Sequence, residues 1–69
     1  MKAMEITING SSHQLAEATT VQQLLQQLTL GEGRIAVELN GEIVPRSQFS
    51  ARHIQAGDRL EIVQAIGGG

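Results

Sequence analysis

The chain contains no cysteine, and this absence excludes several kinds of chemistry. Without thiols there can be no disulfide framework, no thiolate–zinc site, no cysteine-ligated iron–sulfur cluster and no cysteine persulfide. The histidines, His13 and His53, are too few for a histidine-rich metal site. We expect both at the surface or at a sheet edge, and we expect neither a metal site nor a catalytic residue in this chain.

Aromatic and basic residues are also scarce. Phe49 is the only aromatic residue, and the five Lys and Arg residues are dispersed among seven Asp and Glu residues, for a formal net charge of −2. Nucleic-acid-binding proteins present a clustered basic patch to the phosphate backbone or aromatic platforms to the bases. The composition therefore argues against a nucleic-acid partner.

Long hydrophobic runs are missing as well. No segment fits a signal peptide or a membrane span, so we expect a cytoplasmic protein with no membrane partner. The 69 residues suffice for one small domain. Because such a domain buries only about 60% of the surface of its unfolded chain, it has little room for an enclosed active site. A module that docks onto larger partners is a better expectation than an enzyme working alone.

Two Asn-Gly pairs, Asn9-Gly10 and Asn40-Gly41, each separate two short segments that favour strands. Asn and Gly both tolerate positive φ, so the pairs predict two tight β-hairpins. The predicted strands are residues 4–8, 12–15, 35–39 and 42–44. Pro45 ends the fourth strand because it lacks the backbone donor that a sheet requires.

An amphipathic helix is predicted between the hairpins. Apolar residues recur at the spacing of one helix face, at positions Val21, Leu24, Leu25 and Leu28. Thr20 and Gln23 fit a capping box at its start. Farther along, residues 46–56 are expected to be irregular, with one helical turn at 51–54 and with Phe49 and Ile54 in the core.

The last strand is predicted at residues 59–64, after a turn at Gly57-Asp58. Leu60 and Ile62 should face the core, whereas Glu61 and Val63 should face outward. The helix supplies a crossover that lets the first and last strands lie parallel in the middle of the sheet. The predicted fold is therefore α+β: a ubiquitin-like β-grasp, with a mixed sheet of about five strands and one main helix on one face. Residues 1–66 form this domain.

The sequence ends in Gly67-Gly68-Gly69, and no turn explains these glycines. They are either a frayed end or expression remnant, or a flexible arm that delivers the terminal carboxylate into another protein's active site. Glycine suits such an arm because it has no side chain, and three extended residues reach roughly 10 Å.

A terminal carboxylate is ionised at neutral pH and must be activated before a nucleophile can attack it. Adenylation by ATP followed by attack of a sulfur nucleophile would leave a thiocarboxylate on Gly69. The sequence has no Gly-x-x-x-x-Gly-Lys-Ser/Thr loop and no acidic cluster suited to Mg²⁺. We therefore expect a partner enzyme to supply ATP and magnesium, with this chain as its substrate.

Three segments, 35–46, 57–63 and 67–69, closely resemble the thiamine-biosynthesis sulfur carrier family, ThiS, and the resemblance extends over nearly the whole chain. It implies a β-grasp fold and adenylation of Gly69 by an E1-like adenylyltransferase of the ThiF type. It also implies a thiocarboxylate whose sulfur comes from a cysteine desulfurase route and goes to a thiazole synthase of the ThiG type. Gly68 and Gly69 match the family's tail, with Gly67 as part of the same arm, while Phe49 stands where many relatives have tryptophan.

Other functions fit the same tail. A molybdopterin synthase small subunit shares the fold, although the compact length favours thiamine. A ubiquitin-like protein modifier would use the same activation, although Lys2 as the single lysine disfavours chain building. A non-covalent β-grasp binding module would not need Gly69. Whichever partner acts on the tail, the candidates for a docking patch are Val63 and Ala65. Both are expected on the face of the sheet away from the helix and near the tail.

Overall fold

The computed structural model describes residues 3–28 and 34–65, apart from the side chain of Ala65. Its elements in chain order are β1 (Ala3–Ile8), β2 (Ser11–Ala16), α1 (Val21–Gln27), β3 (Arg34–Leu39), β4 (Glu42–Val44), a 3₁₀ helix (Arg46–Gln48) and β5 (Arg59–Ala65). The strands form one five-stranded sheet in the order β2-β1-β5-β3-β4. The last strand of the chain therefore lies in the middle of the sheet.

The sheet is mixed, as predicted. Strands β1 and β5 run parallel, with Thr7 opposite Arg59 and Ile8 opposite Leu60. The other neighbouring strands are antiparallel, and both predicted hairpins are present. A parallel pair needs a long crossover connection, which β2, α1 and the second hairpin provide.

Helix α1 begins with the capping box that the sequence predicts. The Oγ1 atom of Thr20 accepts a hydrogen bond from the backbone N–H of Gln23 at 3.1 Å, and the backbone N–H of Thr20 donates to Oε1 of Gln23 at 2.9 Å. Val21, Leu24 and Leu25 are buried on the inner side of the helix. Capping of this kind contributes about 1 kcal/mol, which matters for a helix of only seven residues.

One face of the sheet and the apolar side of α1 form a single core. Its buried members are Met4, Ile6, Ile8, Leu15, Val21, Leu24, Leu25, Val37, Leu39, Val44, Phe49, Ile54, Leu60 and Ile62. The predicted anchors in the long connection, Phe49 and Ile54, are both confirmed as core residues.

The helical turn predicted at residues 51–54 is wrong. The 3₁₀ helix lies earlier, at Arg46–Gln48, where the backbone N–H of Gln48 donates to the carbonyl oxygen of Pro45 at 2.8 Å. Ile54 instead lies beside the start of α1, and its backbone N–H donates to the carbonyl oxygen of Thr19 at 2.9 Å. The segment thus places Phe49 and Ile54 in the core by different means from those we predicted.

Candidate partner-binding face and the strand that leads to the tail

Strand β5 carries the chain toward its last residues. The predicted tail, Gly67, Gly68 and Gly69, lies outside the described residues, so its role stays a prediction. The boundary predicted between the domain and the tail, after residue 66, also stays a prediction. The last described residue is Ala65, whose backbone pairs with Arg34 of β3. The contacts that hold β5 therefore set the position and direction of the chain at its last described residue.

The first Asn-Gly turn holds β5 through the side chain of Asn9. Its Nδ2 donates to the carbonyl oxygen of Ile62 at 3.1 Å, and its Oδ1 accepts from the backbone N–H of Ile62 at 2.8 Å. The backbone N–H of Asn9 also donates to the carbonyl oxygen of Leu60 at 2.9 Å. Asn9 thus binds both polar groups of one β5 residue with one side chain.

The second Asn-Gly turn holds the beginning of β5. Oδ1 of Asn40 accepts from the backbone N–H of Arg59 at 2.9 Å, and its backbone N–H donates to the Arg59 carbonyl oxygen at 2.8 Å. Its Nδ2 donates to Oδ1 of Asp58 at 3.0 Å. Sequence analysis assigned the two Asn-Gly pairs to turns only and missed that both fasten β5.

The outer face of the sheet, opposite α1, is open. Leu60 and Ile62 point into the core as predicted, and Glu61 and Val63 are exposed as predicted. Val63 is 64% exposed, and Ile43 of β4 is 73% exposed; among the described residues these are the exposed large hydrophobic side chains. The predicted exposure of Val63 is therefore confirmed, while the side chain of Ala65 lies outside the described part of the chain.

Ala36 of β3 lies on this face between the strands that carry Val63 and Ile43. Val63 is directly opposite Ala36 in the β3–β5 ladder, and Ile43 is opposite Glu38, two residues from Ala36. Side chains at such diagonal positions are about 7–8 Å apart, within reach of long residues. We call Val63, Ala36 and Ile43 the open-face patch. Sequence analysis missed Ile43, although the buried neighbour Val44 could have indicated that Ile43 points outward.

Two carboxylates border the open-face patch. Glu38 and Glu61 are directly opposite each other on β3 and β5. Glu38 is half-buried, and Glu61 is exposed. Like charges in directly opposed positions of a sheet repel each other. A basic group brought by a partner would relieve this repulsion.

Comparison with known proteins identifies the family. The model of the ThiS family matches residues 2–69 of this sequence. The chain belongs to the ThiS family. The β-grasp fold predicted from sequence is confirmed by the crystal structure of the thiamine biosynthesis protein ThiS from Geobacter metallireducens, with a TM-score of 0.81, 36% identity and coverage of 96% of this chain and 100% of that one.

Two kinds of curated relative are similar in sequence to this chain. The sulfur carrier protein ThiS of Escherichia coli is 38% identical over 66 residues, which cover 96% of this chain and 100% of that protein. The thiazole synthase of Paramagnetospirillum magneticum is 42% identical over 66 residues, which cover 96% of this chain but only 20% of that protein. This chain thus spans about a fifth of that thiazole synthase.

The two histidines, to which the sequence assigns no role, lie on an edge strand and in an exposed connection. His13 is half-buried on the edge strand β2, and His53 is exposed. Within residues 3–28 and 34–65, no group of three His, Asp or Glu side chains is arranged to hold a metal ion. No helix in these ranges is long and apolar enough to cross a membrane.

Proposed function

We propose that this protein is a cytoplasmic sulfur carrier for the thiazole of thiamine, with the carboxylate of Gly69 as the group that carries sulfur. The observation that supports this most directly is the alignment with the full length of the E. coli sulfur carrier protein ThiS. The lack of cysteine adds to it, because a thiocarboxylate is then the plausible covalent form in which this chain could hold sulfur.

The chemistry begins at the Gly69 carboxylate. Its oxygen attacks the α-phosphorus of ATP, pyrophosphate leaves, and an acyl-adenylate forms. A nucleophile at the oxidation level of sulfide then attacks the carbonyl carbon, AMP leaves, and the thiocarboxylate remains. ATP and Mg²⁺ are bound by the partner, an E1-like adenylyltransferase of the ThiF type, so this chain is a substrate of its partners rather than an enzyme.

The acceptor of the sulfur is a thiazole synthase of the ThiG type. In the P. magneticum thiazole synthase, a segment similar to this chain is about a fifth of a longer protein. Such a combination brings a carrier-like segment and the enzyme named for thiazole formation into one polypeptide. We infer that the separate chain serves the same acceptor by docking.

We assign docking of the adenylyltransferase to the open-face patch with Ala65, because Val63 lies on the strand that leads to Gly69. Glu38 and Glu61 favour a partner surface that places Arg or Lys beside an apolar centre. Val63→Asp should raise the KM of adenylation about tenfold, as expected for loss of an apolar anchor. Gln14→Asp on β2, which adds the same charge at an exposed position remote from the patch, is the matched control and should leave KM unchanged.

Intact-mass spectrometry tests the central proposal. The protein is incubated with a ThiF-type adenylyltransferase, ATP, Mg²⁺ and a sulfide source. We expect one oxygen to be replaced by one sulfur, with fragmentation placing the change at Gly69. If an enzyme that modifies its own carrier leaves this chain unaltered, the carrier function is wrong.

A deletion strain and a denaturing gel separate the related functions. A thiamine requirement on deletion supports the thiazole route, whereas loss of molybdenum-cofactor enzymes with normal thiamine would assign the chain to molybdopterin. A ladder of higher-mass conjugates on a denaturing gel would indicate a ubiquitin-like modifier. A single free species agrees with sulfur carriage.

A further inference from the structure

The two edges of β5 are covered to different lengths. On one side β3 accompanies β5 to its end, with Arg34 opposite Ala65. On the other side the pairing with β1 stops at Ile8 opposite Leu60, because β1 turns away at Asn9-Gly10. The second half of β5 therefore has a strand neighbour on one edge only, within the part of the chain that the structure describes.

On the β1 side of β5, Asn9 continues the hydrogen bonding by one residue, to Ile62. In a strand, the backbone N–H and C=O of alternate residues point toward the same edge. Leu60 accepts from the Asn9 backbone on the β1 side, and Ile62 both donates to and accepts from the Asn9 side chain there. The amide of Asn9 thus takes the place that a further strand residue would occupy.

The next residue with this orientation is Gln64. Its N–H and C=O point to the same edge as those of Leu60 and Ile62, away from β3. No described residue pairs with Gln64 on that edge, since its strand partner, Ile35, lies on the β3 side. Within the described residues, this edge of the sheet therefore presents one donor and one acceptor at Gln64, immediately beyond the Asn9 side chain.

We propose that the backbone of Gln64 pairs with an extended segment of the adenylyltransferase, which adds a short strand beside the end of β5. The inference rests on the proposed function, because it assigns this edge to the enzyme that activates the tail. Such strand addition takes its affinity from main-chain hydrogen bonds. The neighbouring β1 and Asn9 occupy this edge as far as Ile62, so an added segment can begin to pair only at Gln64.

The position of Gln64 along the chain favours this occupant. Gly69 comes five residues later, so an extended tail places its carboxylate at most about 18 Å from Gln64. Adenylation requires the carboxylate oxygen to be aligned with the α-phosphorus, and fixing the direction of the tail contributes to that alignment. A strand bound at Gln64 sets this direction before the glycines begin.

Gln64→Pro tests the pairing, with Gln64→Ala as the matched control. Proline removes the outward N–H but no donor to β3, and it requires Val63 to be extended, as it already is in β5. Both variants should keep the urea midpoint of the wild type. We expect Gln64→Pro to lower kcat/KM for adenylation about tenfold, as for loss of one backbone hydrogen bond, whereas Gln64→Ala should change it less than about twofold.

Hydrogen exchange supplies a second readout on the unaltered chain. The amide of Gln64 should exchange more slowly when the adenylyltransferase is bound, whereas the exposed amide of Gln14 on β2 should not change. Equal kcat/KM for the Pro and Ala variants, or no protection of Gln64 in the complex, would overturn the proposal. So would a concentration-dependent dimer that Gln64→Pro abolishes, because a second copy would then occupy the edge. Failure of the wild type to be adenylated at all would instead refute the proposed function.

Discussion

The two Asn-Gly turns are alike in sequence and local shape but differ in what they hold. Asn9 and Asn40 have φ values of 50° and 52°, and Gly10 and Gly41 have φ values of 84° and 86°. The Asn9 side chain, in a partly buried contact, binds both the N–H and the C=O of Ile62. The Asn40 side chain, in exposed contacts, divides its bonds between the Arg59 backbone and the Asp58 carboxylate.

This difference in partners shows which properties of a turn are determined by its own two residues. The dipeptide alone produces the left-handed backbone that a tight hairpin needs. What the asparagine side chain binds depends on the strand that lies beside the turn, and in both hairpins that strand is β5. The two turns thus fasten the same strand at two heights, at Arg59 and at Ile62, but in surroundings of different exposure.

We call the hydrogen bonds made by each asparagine side chain its clamp. The largest difference in stability is expected when each clamp is removed without disturbing its turn. Asn9→Gly keeps a residue suited to positive φ and deletes both side-chain bonds to Ile62. We expect it to lower the free energy of unfolding by about 2 kcal/mol, since two partly buried hydrogen bonds contribute about 1 kcal/mol each. Urea denaturation at constant slope measures the loss. A cost no greater than that of Asn40→Gly would show that the Asn9 clamp adds nothing beyond its turn.

The glycines should behave alike. Gly10→Ala and Gly41→Ala each place a Cβ in the left-handed region, where nothing lies within 4 Å of the added atom. The cost is then conformational and equal at the two sites, about 1.5 kcal/mol each. Thermal unfolding of both variants checks the equality. Unequal losses would mean that the turns differ in backbone strain as well as in side-chain partners.

This contrast also explains how far the sequence could predict the molecule. The hairpins, the capping box and the helix stripe depend on residues within a few positions of one another, and all were predicted correctly. The bonds from Asn9 to Ile62 join residues 53 positions apart, and no local pattern encodes them. Ala18 is the converse case: its φ of 66° lies in the left-handed region although no Gly or Asn indicated a turn there.

The candidate site shows the same limit. Alternation along β5 predicted that Val63 faces outward, because side-chain direction follows from the period of the strand. Ile43 joins it only because β4 pairs with β3 in one particular register. The opposition of Glu38 and Glu61 is likewise a consequence of register, so neither feature could be read from the segments separately.

A smaller loss is expected at the second clamp. Asn40→Gly removes the bonds from the side chain to Arg59 and Asp58, which are exposed and therefore compete with water. We expect a decrease of about 1 kcal/mol in the free energy of unfolding. Amide exchange should also become faster at Arg59 and stay unchanged at Ile62, with the reverse pattern in Asn9→Gly. Faster exchange at both amides in either variant would show that β5 is released as a whole.

The smallest predicted effect is a coupling energy. Asp58 accepts from Nδ2 of Asn40 at 3.0 Å and from the backbone N–H of Gln55 at 2.7 Å, so Asn40 belongs to a small network. A double-mutant cycle of Asn40→Gly with Asp58→Ala should give about 0.5 kcal/mol of interaction energy, because the two substitutions remove a shared bond. The cycle of Asn9→Gly with Asp58→Ala should be additive, since Ile62 lies about 13 Å along β5 from Asp58. Interaction energies of equal size in the two cycles would mean that β5 itself transmits the effect of each substitution. The Asn9 bonds would then be no more independent of Asp58 than the Asn40 bonds are.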